Sequence, residues 1–396
     1  MVRIKKEKLL IQPEHIKPST EDFEVLGVLN PAAVRLPDNK IMLYLRVIEK
    51  LKTTEDKKYL YSPRMIGKKK FKVKIDKIDK KKVKEYTDLD MIFEDGTKRL
   101  TFISHLRRAI VDESGFNLLS LEQVPGFYGI ASDSELGVED ARITKINNRY
   151  IMTYVSLTRD HNIATSLAIS KDCMNWERQG IIFGEQDKDV VIFPEKIKGK
   201  YVAFDRPEGN FQFTTAHIWI AYSRDLKSWG NLKSVPCIYK EKGVCPRNGA
   251  GPPPIKTKKG WLLLYHVVSL SDKITRTRHL KKEPHDNIIK KIIGIRKTKI
   301  CYEKTIDKIT TYGVGAALFD LKNPERIIAK SPSMIIKPKK SYEIGTFENK
   351  EVVFPSGLVI DKNNKDILIY SGGGDQVTTV KKISLANIIK SLRYVK

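Results

Sequence analysis

The sequence predicts an all-β fold: one domain over residues 1–396, built as a five-bladed β-propeller. Three observations lead there. Five segments repeat one pattern in order along the chain. Each reads as two short strands around a polar turn. Most are followed by a second hairpin-like stretch, so one unit supplies a four-stranded sheet. Sheets repeated radially leave only short, protected edges, and five units imply five blades. The competing reading is an open β-sandwich with accidental internal similarity, and five copies in one order count against it.

The units run as follows. The first pairs 30–36 (Asn-Pro-Ala-Ala-Val-Arg-Leu) with 39–46, and the second pairs 138–146 (Val-Glu-Asp-Ala-Arg-Ile-Thr-Lys-Ile) with 148–154. The third pairs 192–197 (Ile-Phe-Pro-Glu-Lys-Ile) with 199–206, and the fourth pairs 251–257 with 260–266. The fifth pairs 354–360 with 365–372. Stretches 164–176 and 217–229 are close copies of each other, each ending in Trp, and 315–321 is a weaker third. Two steps between units are roughly twice as long as the others. They place insertions at about 50–100 and 270–310, both rich in lysine. Only 385–392 has helical periodicity, which predicts a short C-terminal helix.

Composition narrows the function classes. No run approaches the ~20 apolar residues of a membrane helix. The first residues, Met1-Val-Arg-Ile-Lys-Lys-Glu-Lys, contain no apolar export segment. The expectation is a cytoplasmic protein with no membrane partner. Cys173, Cys237, Cys245 and Cys301 form no CxxC pair, which reads as reduced thiols and no metal site. The net charge is +26, with basic residues crowded at 68–74, 80–82 and 273–308. Lysines alternating with Phe71 and Val73 read as an exposed edge strand. No nucleic-acid motif accompanies the charge, so the basic insertions are expected to serve surface or subunit contacts. A homo-oligomer stays open.

In a propeller the innermost strands and the bends that open them line a central channel. Those bends offer Asn30, Glu139, Asp140, Arg142, Glu195, Lys196 and Gly251. The strands that follow end in Arg46, Tyr154, Arg206, His266 and, after a glycine run, Asp375. A glycosidase needs two working carboxylates. Here Asp140 and Asp375 face Lys188, Arg206, Arg247 and His266 instead. Such a cluster suits a phosphate through charge-assisted and bidentate contacts. A phosphate nucleophile arrives already ionised, so one acid and an anion cradle suffice. Taken singly, each Arg or Lys fits a structural salt bridge equally well.

These residues resemble glycoside hydrolase family 130. The resemblance is carried by Val138-Glu-Asp-Ala-Arg, Phe193-Pro-Glu-Lys, Asp205-Arg-Pro, Gly249-Ala-Gly-Pro-Pro-Pro, Trp261-Leu-Leu-Leu-Tyr-His and Val353-Phe-Pro-Ser-Gly. It implies a five-bladed propeller and reversible, inverting phosphorolysis of β-mannosides to α-mannose 1-phosphate. Inorganic phosphate would be co-substrate, with no cofactor and no metal. It implies Asp140 as the acid, acting through the mannose 3-hydroxyl. It matches Lys188, Arg206, Arg247 and His266 to phosphate-binding bases, and Asn30, Arg46, Glu139 and Asp375 to the sugar side. Ala141 stands where proline is usual, Asp205 where histidine is common, and Ser371-Gly-Gly-Gly-Asp375 where Gly-Ala-Ala-Asp is usual. These departures leave the acid and bases in place and blur the sugar specificity. Segments 46–50 and 103–109 are closer to β-1,2-mannoside members than to β-1,4 members. Alternatives are a β-mannoside hydrolase, a β-1,4-mannosyl-saccharide phosphorylase and a non-catalytic basic scaffold. A furanosidase needs three convergent carboxylates, more than the bends supply.

Overall fold

The computed structural model describes residues 2–209, 213–241, 243–282, 298–345 and 350–395, with side chains described outside 272–307. The chain is mostly β-strand. After β1 (Ile4–Ile11), a first antiparallel unit is formed by β2 (Phe23–Arg35), β3 (Ile41–Leu51), β9 (Phe102–Val111) and β10 (Leu118–Leu121). Five short strands lie between β3 and β9, as the 50–100 insertion requires. They are β4 (Tyr59–Met65) paired with β5 (Val73–Asp79), and β6 (Val83–Tyr86), β7 (Asp90–Phe93) and β8 (Lys98–Leu100) as a small sheet. Phe71 is no exposed edge residue. It packs edge-on against Tyr128, with ring centroids 5.5 Å apart, and so helps anchor the excursion to the body.

The second unit is β11 (Gly137–Ile146), β12 (Arg149–Thr158), β13 (Asn162–Ser170) and β14 (Glu177–Phe183). The third is β15 (Asp187–Ile192), β16 (Tyr201–Pro207), β17 (Trp219–Ser223) and β18 (Trp229–Ser234). In the fourth, β19 (Asn248–Ala250) and β20 (Ile255–Thr257) share one edge of β21 (Gly260–Lys282), followed by β22 (Thr298–Phe319) and β23 (Ile327–Lys330). The long β21–β22 pair runs through much of the stretch expected as an insertion at 270–310, of which 283–297 lie outside the described residues. The fifth unit is β24 (Lys350–Ile360), β25 (Asp366–Gly373) and β26 (Val377–Ser384), and its outer strand is β1 from the other end of the chain. Helix α1 (Leu385–Ser391) follows, with Ser384 accepting from the Asn387 N–H as its cap, and β27 (Arg393–Tyr394) returns to β23.

Local chemistry explains the repeat. In four units the turn after the third strand is closed by an aspartate that accepts backbone N–H groups: Asp112, Asp172, Asp225 and Asp320. Inner strands such as β12 are buried on both faces, because each sheet is sandwiched between neighbours. One apolar cluster joins units one and two around Tyr44, Leu106, Ile143 and Met152. Another joins two and three around Ile151, Leu167 and Ile192. Phe193, Phe204, Trp261 and Phe319 join three and four, and Leu264, Ile367 and Ile383 join four and five. Leu43, Leu45, Leu368 and Tyr370 join five back to one. At about 1.5–3 kcal/mol per buried large side chain, these interfaces carry the fold.

Cys237 and Cys245 depart from the expectation of reduced thiols: they are joined by a disulfide, with Cα atoms 5.9 Å apart. The two residues flank a reversal ahead of β19 in which Glu241 and Val244 exchange backbone hydrogen bonds, and that reversal brings the sulfurs together. Cys173 is a buried free thiol, and the Cys301 side chain lies outside the described residues. Among the described residues no helix is long and apolar enough to cross a membrane.

Candidate active site

The site is organised by three bulges at equivalent places in the first strands of units one, two and three. The pairing register breaks between Leu29 and Ala32, between Glu139 and Arg142, and between Lys188 and Val191. Inside each bulge sits a non-glycine residue in left-handed backbone: Asn30 at φ 45°, Asp140 at φ 42° and Asp189 at φ 55°. That conformation costs about 1–2 kcal/mol, and Asn and Asp bear it best. A bulge re-aims its side chain out of the strand's alternation. The three short polar groups thereby meet: Asn30 Nδ2 donates to Asp140 Oδ1 at 2.9 Å, and the Asp189 charge is felt at Asp140.

Around Asp140 the fold places a guanidinium on either side. Arg46 on β3 bonds Asp140 Oδ1 at 3.2 Å and Glu139 Oε1 at 2.5 Å, and reaches Ser104 Oγ at 3.3 Å. Burial opposes the Arg46 charge, but Glu139, Asp140 and Asp375 outweigh it and raise its pKa. That ties Asp375, itself at φ 56°, to the same group. Arg142 donates through Nε to the Gly251 carbonyl at 2.7 Å and through Nη1 to the Asp140 carbonyl at 2.9 Å. Burial pushes the Asp140 carboxyl up; Arg46, Arg142 and the Asn30 amide outweigh it and hold it below the usual carboxylate range.

The cations continue from there. Arg206 on β16 donates through Nε to Asp189 at 2.6 Å and through Nη1 to Glu208 at 2.6 Å. Arg247 meets the same Glu208 oxygen at 2.9 Å. Lys188 stands directly across the β15–β16 pair from Arg206. Arg142 Nη2 and His266 Nε2 each lie 3.8 Å from Asp189. Burial, opposed only by Asp189, lowers the His266 pKa to about 4, so its ring enters as a neutral hydrogen-bonding group rather than a fourth cation. Three buried atoms in this cluster accept or donate no hydrogen bond: Arg142 Nη2, Arg247 Nε and His266 Nδ1. Asn30 Oδ1, beside Asp140, likewise has no hydrogen-bond partner. Buried polar atoms are normally bonded, so several left over in one place leave hydrogen-bonding capacity that a polar ligand could use.

All nine residues singled out as acid, phosphate or sugar contacts thus fall within one connected network. Three others from the sequence reading do not join it. Glu195 forms an exposed pair with Lys256, and Lys196 lies over Tyr201. The bulge of the third unit is at Asp187-Lys-Asp189, not at the Phe-Pro bend, so these two fall beyond the strand. Tyr154 bonds Asp133 and Arg178 instead. Sequence reasoning missed Asp189, Glu208 and Ser104. Aligning Asp187-Lys-Asp189 with Val138-Glu-Asp140 would have found the first. Gly249 has a packing reason: a Cβ there would run into Asp189 Oδ2, the His266 ring and Arg206 Cδ.

Beneath the cluster lies a second carboxylate pair. Asp187 accepts the Arg206 backbone N–H at 3.0 Å, and Asp205 is buried beside it with Oδ1 unpaired. Burial and then the Asp187 charge push the Asp205 carboxyl up to about 9, and burial raises Asp187 as well, so the pair keeps a proton at neutral pH. A folded-state pKa raised above the unfolded one means the folded chain binds more protons. Stability therefore declines as pH rises, until Asp205 ionises near 9. Asp205→Asn keeps the shape and removes the titration. Its melting temperature is expected to fall less than that of the unsubstituted protein between neutral pH and pH 9 in calorimetry; parallel slopes would contradict the shared proton.

No group of three His, Cys, Asp or Glu residues that could hold a metal occurs among the described residues. A family profile described as β-1,4-mannooligosaccharide phosphorylase matches residues 122–281 and 297–394. A β-1,2-mannobiose phosphorylase of Listeria innocua is 30% identical over 395 residues, covering 98% of this chain and 97% of its own. A 1,2-β-oligomannan phosphorylase of a Thermoanaerobacter species is 32% identical over 296 residues, covering 72% of this chain and 81% of its own. The solved structure of the Listeria innocua enzyme with β-1,2-mannobiose superimposes with a TM-score of 0.74 at 29% identity, over 96% of both chains. By its profile match, its relatives and its shared architecture, the chain belongs to glycoside hydrolase family 130.

Proposed function

We propose that this protein is an inverting β-mannoside phosphorylase that transfers mannose from β-1,2-mannobiose or β-1,2-oligomannan to inorganic phosphate, giving α-mannose 1-phosphate. The observation that carries the reading is the pairing of one re-aimed carboxylate, Asp140, with a contiguous set of Arg142, Lys188, Arg206, Arg247 and His266 that holds three unpaired buried nitrogen atoms. In this reading Lys188, Arg206, Arg247 and His266 hold the phosphate. Asn30, Arg46, Glu139 and Asp375 hold the mannose. Asp140 delivers a proton to the leaving sugar oxygen by way of the mannose 3-hydroxyl. Phosphate attacks the anomeric carbon from the opposite face, the old glycosidic bond breaks, and the configuration inverts. A hydrolase would need a second carboxylate to activate water. Asp189 is poorly suited to that, being locked to Arg206 and held well below the usual carboxylate range: burial opposes its charge, and the Arg206 and Arg142 guanidinium groups help to outweigh it.

The five units close into a five-bladed propeller in this account. The cyclic succession of apolar interfaces, with β1 completing the fifth sheet, supports that arrangement. The β-1,2 preference rests on the names and long alignments of the two relatives, against the β-1,4 description of the family profile. A panel of linkage-defined mannobioses, assayed with phosphate for mannose 1-phosphate, tests the linkage and the function. Turnover of the β-1,2 dimer above the β-1,4 dimer is expected. Reversed preference would correct the linkage, and no mannose 1-phosphate from any member would remove the function.

A further inference from the structure

We propose that Glu208 is the resident anion of the phosphate cradle: its carboxylate occupies the seat of a phosphate oxygen, and phosphate binds by displacing it. The inference rests on the phosphate-cradle reading above and adds to it a residue that sets phosphate affinity.

Two carboxylates engage Arg206, and they differ in kind. Asp189 lies within a strand bulge, its side chain is 6% exposed, and it also faces Arg142 and His266. It is a fixed counter-ion. Glu208 lies just past the end of β16, and its side chain is 24% exposed. Its backbone N–H is tied to the Gln186 carbonyl at 2.9 Å, which fixes the Cα and leaves the side-chain torsions free to turn outward. A single oxygen, Oε2, accepts from Arg206 Nη1 at 2.6 Å and from Arg247 Nη2 at 2.9 Å, and the Lys188 charge acts on it too. One oxygen gripped by two guanidinium groups is the geometry these groups offer an oxyanion. The grip is incomplete, because Arg247 Nε is buried without a partner. A tetrahedral dianion has more acceptor oxygens and more charge than a carboxylate can present.

The arrangement has a physical purpose. Arg142, Lys188, Arg206 and Arg247 would repel one another in an empty site, and Glu208 offsets that repulsion while keeping the guanidinium groups aligned. It also discriminates. Uncharged water cannot compete with a carboxylate for two arginines, whereas a phosphate dianion can. The cost is competition: apparent phosphate affinity is reduced by the fraction of molecules in which Glu208 holds the seat.

Steady-state kinetics of the full chain with inorganic phosphate test this. Glu208→Gln keeps the shape and removes the charge. The expected result is a KM for phosphate lowered by about tenfold. Glu208→Asp, too short to span both arginines, should lower the KM as well, and gives a second answer if the glutamine variant fails to fold. An unchanged or raised phosphate KM in the folded variants would overturn the inference, since a carboxylate that only positions the arginines makes phosphate bind worse when lost. Failure of the underlying reading looks different: turnover of the unsubstituted protein would not depend on phosphate at all.

Discussion

Asp140→Asn is expected to lower kcat by at least ~100-fold in both phosphorolysis and the reverse synthesis, the lower end of what general acid catalysis supplies. Both directions suffer because the residue that gives the proton one way takes it back the other. The surroundings of Asp140 make the prediction specific. Arg46, Arg142 and Asn30 outweigh burial and hold it as a carboxylate. To act as an acid it must gain a proton once substrates are bound. A phosphate dianion beside Arg142 counters one of the two guanidinium groups that depress it, so its pKa climbs in the complex. Asparagine preserves the acceptor oxygen for Asn30 and Arg46 and cannot deliver a proton. Phosphate KM should hold or fall slightly, since a nearby negative charge is lost. Glu139→Gln is the control: Glu139 anchors Arg46, so its loss should raise the mannoside KM more than it lowers kcat. Near-normal turnover of Asp140→Asn beside a dead Glu139→Gln would move the acid by one residue.

Arg206→Ala should raise the phosphate KM roughly 10- to 150-fold, the equivalent of losing a charge-assisted contact worth ~1.5–3 kcal/mol. The same substitution is expected to lower the melting temperature, because it strands buried Asp189 without its nearest cation. Arg206→Lys separates the two effects. It restores a charge for Asp189 and loses the planar fork, so stability should recover further than phosphate binding does. A phosphate KM unchanged in both variants would remove Arg206 from the cradle.

Much of this was legible in the sequence because the repeat carries its own punctuation. The five-fold hairpin pattern and the bend before each hairpin made the strands and their order readable, and the uneven spacing marked two lysine-rich stretches. Asp140 was readable because Val-Glu-Asp-Ala-Arg opens a strand of clear pattern. Asp189 was not, since the Phe-Pro bend at 193–194 is the louder signal and the functional bulge lies three to four residues before it. Glu208 was hidden for another reason. It belongs to a loop, and only the folded chain brings it between Arg206 and Arg247, which are far apart in the chain. The buried acid pair of Asp187 and Asp205 was equally out of reach, because burial and not residue type sets which member keeps the proton. The Cys237–Cys245 disulfide ran against the expectation drawn from spacing, which carries no information on how a reversal closes.

The central claim is that one acid facing an anion cradle makes phosphate the nucleophile. Proton and phosphorus NMR of the protein with β-1,2-mannobiose, with and without inorganic phosphate, tests it most directly. The account predicts that α-mannose 1-phosphate and free mannose appear in equal amounts with phosphate, and that the disaccharide persists without it. Release of two mannoses per disaccharide at the same rate whether or not phosphate is present would contradict it.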